Sequence, residues 1–212
     1  MNKIIYREIK KQDYNAIQSI INQSFGLYRY VDHPKALATL LKLYLQSCLS
    51  EQTFSCVAEK DGEVVGVILG NAKSDFKVVA HLKHMLLTTL LGIKMVAQSF
   101  LYKCSTTGYR KLHAIYHDFL KDKKSEFDGV LTLFAVNETC RGFGVGKELL
   151  SNFLNYLQKH NTKHIYLYTD STCNYGFYDS QGFEQLEKRV LTMTCEQQPM
   201  EMDVFLYGYK IK

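Results

Sequence analysis

The stretch GVLTLFAVNETCRGFGVGKELLSNFLNYLQKH, Gly129 to His160, decides how this chain is read. An apolar, β-prone run from Val130 to Val136 is followed by a short polar break and then by Arg141-Gly142-Phe143-Gly144-Val145-Gly146. Beyond it Leu149, Leu150, Phe153, Leu154 and Leu157 recur at steps of three and four, the period of one buried helix face. Strand, glycine-rich turn and helix together make a site for phosphates. The first turn of a helix leaves backbone N–H groups unpaired, and its dipole favours an anion there. Glycines let the anion approach the backbone, and Arg141 adds a permanent positive charge. The stretch reads as a diphosphate cradle.

The spacing argues against two familiar cradles. Lys147 stands where a dinucleotide-binding fingerprint needs its third glycine or alanine. It is followed by Glu148, so there is no G-x-x-x-x-G-K-[ST] nucleotide loop. What is present is R-x-x-G-x-G, and the segment resembles the coenzyme-A loop of the GNAT superfamily of N-acetyltransferases. About thirty residues on, Asn174-Tyr175-Gly176-Phe177-Tyr178-Asp179-Ser180-Gln181-Gly182-Phe183 resembles that superfamily's closing signature, F-Y-x-x-x-G-F. The two motifs, in this order and at this separation, cover roughly Gly129 to Leu191.

Composition sets the outer bounds. The chain has 212 residues, 46% hydrophobic and 22% charged, which are globular values, and one domain spanning 1–212 is expected. The net charge of +5 is mild and gives no reason to expect a nucleic-acid partner. Six scattered cysteines without a C-x-x-C pair, and an N-terminus without a long apolar core, suit free thiols in a cytoplasmic protein. The apolar stretch from Val78 to Tyr102 is interrupted by Lys83, Lys94, two histidines and Gln98, so no membrane partner is expected. Its Val79, Leu82, Leu86, Leu90, Ile93, Val96 and Phe100 follow helical spacing, which predicts an amphipathic helix with a wide buried face, broken near Gly92.

Along the chain, Lys3 to Lys10 reads as an opening strand, and Asp13 as the cap of a helix to about Phe25. A second helix starts at Pro34. Two strands flank the Asp61-Gly62 hairpin turn. A helical interval runs from about 75 to 124. A strand, a helix over 144–160, a strand over 163–169, a short helix near 173–181 and two closing strands follow. The resemblance implies an α+β fold for this order: a mixed, mostly antiparallel sheet of six to seven strands, with helices flanking it. Its central strands splay apart to admit a pantetheine arm. The interval at 75–124 is an insertion relative to that pattern, expected to pack on the sheet and wall the acceptor side.

The resemblance also implies an acetyl-CoA-dependent N-acetyltransferase acting by direct transfer to a primary amine of a small molecule. A peptide or protein amine, or a non-catalytic coenzyme-A sensor or interaction module, stays open, as does a homodimer. Coenzyme binding is expected from Phe134, Ala135 and Val136, from Arg141, Gly142, Phe143, Gly144, Val145 and Gly146, and from Asn174. An N–H near Val136 would polarise the thioester carbonyl. Tyr178 is the candidate acid for the departing thiolate, since a phenol is protonated at neutral pH. Its other reading is a core aromatic. Glu138 is the candidate base, with Asp128 and Glu126 as competitors, and an ordinary loop carboxylate is its other reading. Two histidine pairs, His81 with His84 and His113 with His117, lack accompanying acidic or cysteine ligands, so no metal is expected.

Overall fold

The computed structural model describes residues 4–195 and 198–211. Seven strands form one sheet: β1 (Ile5–Arg7), β2 (Phe54–Lys60), β3 (Glu63–Ala72), β4 (Gly129–Val136), β5 (His164–Asp170), β6 (Glu184–Cys195) and β7 (Gln198–Lys210). Their order is β1-β2-β3-β4-β5-β7-β6, and every neighbouring pair is antiparallel except β4 and β5. Six helices accompany it: α1 (Tyr14–Phe25), α2 (Pro34–Glu51), α3 (Val78–Leu101), α4 (Thr107–Leu120), α5 (Val145–Lys159) and α6 (Gly176–Ser180). The fold is the mixed, mostly antiparallel open sheet that the resemblance implied. Lys3, where the opening strand was expected to begin, lies outside the described residues.

Two apolar cores lie on the two faces of the sheet. On one, α1, α2 and α4 contribute Ile17, Ile21, Leu40, Leu49 and Phe119 against Val67, Leu133 and Leu206. On the other, α5 lays Leu149, Leu150, Phe153 and Leu157 against Ile68, Leu131 and Ile165. The α5 stripe is the one its spacing predicted, and Leu149, Phe153 and Leu157 are fully buried. Gly70 admits this packing: a Cβ there would meet the Phe153 ring at 2.4 Å and the Val130 carbonyl at 2.7 Å.

Local signals act as their chemistry requires, with two corrections. Asp61 and Gly62 both take positive φ, 54° and 83°, which is the backbone a tight β2–β3 hairpin demands. Pro34 opens α2, where no N–H is missed. Asp13, however, does not cap α1 with its side chain. Its carboxylate turns back to accept from the Lys10 N–H at 2.7 Å and from Arg7 at 2.7 and 2.9 Å. Arg7 also reaches Glu59, so one guanidinium ties β1 to β2 and to the approach of α1. The neighbouring guanidinium holds the Asp13 carboxyl below the usual range.

The larger correction concerns α3. It runs unbroken through Gly92, and it packs along α2 rather than on the sheet. The stripe expected to be buried is the one turned to solvent: Val79, Leu82, Leu86, Leu90, Ile93, Val96 and Phe100 are all 53–80% exposed. The inward face carries His81, His84, Thr88, Gln98 and Ser99 together with Leu91 and Met95. His84 meets the Gln46 side chain of α2 at 2.7 Å, His81 stacks on Phe76, and only Met95 of the helix is buried. Periodicity located the stripe correctly, but it carries no information about which side of a helix meets the protein.

Candidate active site

The site begins where the sheet fails to close. β4 and β5 pair only at Gly129↔Ile165 and Val130↔Tyr166, although β4 continues to Val136 and β5 to Asp170. Beyond those two pairs the strands part, and a cavity of ≈ 380 Å³ occupies the gap, with Leu131 to Val136 of β4 and Leu167 to Asp170 of β5 in its walls. Strand parity aims the β4 backbone. Asn137 donates its N–H to Val65 of β3 at 2.8 Å, and Ala135 faces Val67 in the same ladder. N–H groups of successive residues point to opposite sides of a strand, so Phe134 and Val136 turn theirs towards the gap. An oxygen or carbonyl lodged in the splay meets unpaired donors there.

The glycine-rich loop closes one end of the same cavity. Asn137 shapes its entry, its Oδ1 accepting from the Thr139 N–H at 3.1 Å, and Arg141 donates its N–H to the Glu138 carbonyl at 3.2 Å. The next loop N–H to find a backbone acceptor is Glu148, bonded to Gly144 at 3.1 Å. Among the described residues the N–H groups from Gly142 to Lys147 find no acceptor, and they gather at the N-terminus of α5. Gly142 and Gly144 both take φ of 81°, a conformation that disfavours any side chain, and open space surrounds the position of a Cβ at each. Loop and dipole therefore offer an anion several unpaired donors and a clear approach. The residues present fit a diphosphate.

Tyr178 of α6 lies in the wall of this cavity and is 9% exposed. Its ring sits edge-on to Phe134, Phe177 and Phe183. Burial, with a smaller contribution from Cys173, raises the phenol well above its ordinary pKa, so it stays a proton donor. Asn174 lines the cavity just before α6, and its carbonyl accepts from the Phe177 N–H at 3.2 Å. Glu138 stands elsewhere. Its side chain is 70% exposed, pairs with Arg141 at 3.2 Å, and is not part of the cavity wall. Asp128 is also distant from the cavity, accepting from the N–H groups of Lys163 and His164.

The carboxylate that does line the cavity is Asp170, at the end of β5 and 7% exposed. Thr172 fixes its Oδ1, through N–H at 2.8 Å and Oγ1 at 2.5 Å, and Arg29 donates to Thr172 Oγ1 at 2.9 Å. Cys173 lies beside it. Burial first, and the Asp170 charge second, push that thiol up to about 12, so it stays protonated and a poor nucleophile. The sequence pattern ends this strand at 169, one residue short of Asp170.

Of the insertion, α4 alone reaches the site. Tyr109, Leu112, His113 and Tyr116 line the cavity, joined by Tyr30 and by Tyr44 of α2. A further cavity of ≈ 500 Å³ shares several of these tyrosines and continues towards Lys121 and Lys124. His113 packs edge-on against Tyr109, while His117 is exposed near Asp118. No residue of α3 lines either space.

Comparison with known proteins bears on the fold. Residues 120–204 match the family model described as the acetyltransferase (GNAT) domain. No curated protein matches the chain in sequence. Among solved structures, the fold is similar to that of PH1933 from Pyrococcus horikoshii OT3 (TM-score 0.61, 17% identity, 99% of both chains). It is similar to an N-acetyltransferase from Staphylococcus aureus Mu50 (0.58, 13%, 99% of both chains). It is also similar to the ribosomal-protein-S18-alanine N-acetyltransferase from Escherichia coli (0.56, 12%, 99% of this chain and 95% of that one). At these identities the likeness is one of fold, and the fold is that of the GNAT acetyltransferases.

Proposed function

We propose that this protein is an acetyl-CoA-dependent N-acetyltransferase that transfers the acetyl group directly to the primary amine of a small molecule with an aromatic or apolar body. One observation carries the reading. A single cavity joins the unpaired N–H groups of the glycine loop to the splayed strands and holds one buried acid, Tyr178, and one buried carboxylate, Asp170. The coenzyme's diphosphate is assigned to Arg141 through Gly146, and its pantetheine arm to the backbone of Phe134, Ala135 and Val136, with Asn174 at the side. Binding far from the reacting carbon then fixes the thioester in place.

The chemistry follows from what each residue can offer. The amine nitrogen attacks the thioester carbonyl, and the Phe134 or Val136 N–H stabilises the developing oxyanion. As the tetrahedral centre collapses, the C–S bond breaks and the thiolate takes its proton from Tyr178. The proton lost by nitrogen passes to Asp170, which takes the role that the sequence offered to Glu138. The protonated thiol of Cys173 argues against an acyl-enzyme. The acceptor class rests on the tyrosines of the wall, Tyr30, Tyr44, Tyr109 and Tyr116, which present ring faces and edges rather than a field of carboxylates.

The test is a panel of aryl, alkyl, polyhydroxylated and peptide amines incubated with acetyl-CoA, with release of free coenzyme thiol as the signal. Amine-dependent release, strongest for arylalkyl amines, is the expected result. Tight coenzyme binding with no release above the amine-free rate for any acceptor would replace the enzyme by a non-catalytic coenzyme-A sensor. Release confined to peptides would replace the small-molecule acceptor by a protein one.

A further inference from the structure

The outward face of α3 has no partner among the described residues. Its 24 residues extend about 36 Å at 1.5 Å per residue. Leu86 and Ile93, near its middle, are 61% and 63% exposed, and Val79 and Phe100, near its ends, are each 80% exposed. A line of large apolar side chains at 53–80% exposure is the kind of surface that marks an interaction site. By length and composition alone the helix could cross a membrane, with a mean hydropathy of 1.3. Its other face argues against spanning. His84 is bonded to Gln46, His81 stacks on Phe76, and Tyr102 just past the helix stacks on His33 at 3.7 Å. Leaving α2 would break these contacts and take Lys83 and Lys94 into hydrocarbon.

Charge identifies the occupant. From Phe76 to His117 the chain carries Lys77, Lys83, Lys94, Lys103, Arg110 and Lys111 and no aspartate or glutamate. All six cations are exposed. Lys83 and Lys94 are eleven positions apart, three helical turns, so both border the same edge of the apolar stripe. A second copy fits this pattern badly. An antiparallel pairing about the helix midpoint would set Lys83 of each copy beside Lys94 of the other, with no carboxylate on either helix to offset them. Anionic headgroups above an acyl layer fit it well: the stripe enters the headgroup–acyl boundary and the lysine stems reach back to phosphate.

We propose that the outward face of α3 docks this protein, lying flat, on an anionic lipid surface. The contact leaves the cavity free, because no α3 residue lines it. The experiment is flotation of the full chain with vesicles of phosphatidylcholine alone and of phosphatidylcholine with one-quarter phosphatidylserine. Binding to the anionic vesicles is expected, falling with added salt. The double variant Leu86→Glu with Ile93→Glu should reduce it by at least roughly tenfold, and Lys83→Gln and Lys94→Gln by roughly fivefold each. Because these side chains are exposed, melting temperature and coenzyme affinity should match the parent and report that the fold is intact. Absence of binding to both vesicles, or binding indifferent to Leu86→Glu with Ile93→Glu, overturns the proposal. A dimer in sedimentation equilibrium that the same double variant dissolves, without vesicle binding, would give the face to a second copy and likewise overturn it.

Discussion

The Tyr178 ring meets the Phe134 ring edge-on, with centroids 6.3 Å apart and planes at 61°. This contact sets the proposed acid against the strand whose free N–H groups face the splay. The ring is held by packing, and among the described residues its hydroxyl has no hydrogen-bond partner. Tyr178→Phe should therefore keep the fold and the coenzyme affinity while turnover falls by roughly 10²–10⁴-fold, the usual contribution of a positioned acid. Rates at saturating coenzyme, with an acceptor from the amine panel, measure it. Turnover within a few-fold of the parent would return Tyr178 to the role of a core aromatic.

Asp170→Asn preserves the shape that Thr172 grips but removes the charge. Acceptor turnover should fall by roughly 10²–10⁴-fold with coenzyme binding unchanged. The loss should persist above the acceptor amine's own pKa, because an amine that arrives neutral still releases one proton after attack. Glu138→Gln, at an exposed carboxylate outside the cavity, should change turnover by less than about twofold. The reverse ranking of the two variants would restore Glu138 as the base.

Gly144→Val places a side chain at a backbone φ of 81°, at a strain of about 1–3 kcal/mol, and puts methyl groups where the diphosphate must approach. Gly62→Val is the matched control, with φ of 83° and equally open surroundings in the β2–β3 turn away from the cavity. Both variants should lower the melting temperature by similar amounts. Only Gly144→Val should weaken coenzyme binding, by tenfold or more on the order of a lost oriented contact set. Equal affinities by calorimetry would move the diphosphate elsewhere.

Alkaline pH should unfold the protein through its buried phenols. Burial raises Tyr30 and Tyr178 well above the ordinary value, and burial followed by the Asp179 hydrogen bond pushes Tyr207 up to about 12. A raised pKa means that the folded state holds protons the unfolded chain releases. The stabilisation is then complete below the unfolded value of about 10 and is lost as pH rises through the folded values. Melting temperature should be flat between pH 7 and 9 and drop steeply above pH 10. Tyr207→Phe should blunt the fall, whereas a drop unchanged in that variant would assign it to other groups.

What could be read in the sequence was local. The α5 stripe, the Asp61-Gly62 turn and the glycine loop each announce themselves within a dozen residues, because a helix face, a positive φ and an open helix start are properties of adjacent positions. The two motifs at 141–146 and 174–183 also sit where one cavity wall contains both. Asp170 was invisible for the opposite reason. Tyr30 and Tyr116, which share the cavity wall with it, come from two distant parts of the chain, and nothing about an aspartate at the end of a strand marks it as buried.

The sequence by itself determined which backbone segments form strands, helices and turns, since those follow from side-chain period and from glycine and proline geometry. It also placed the glycine loop at the start of α5. Tertiary structure alone decided which face each helix presents and which charges end up dry. α5 and α3 carry equally regular apolar stripes, yet Leu149 and Phe153 are fully buried whereas Leu86 and Ile93 stand in solvent. A helical period fixes the angle between side chains about the helix axis, and the rotation of that axis against the rest of the molecule is set only when the other elements pack. In α3 that rotation sets His84 on Gln46 and buries Met95, and it leaves the apolar side outside.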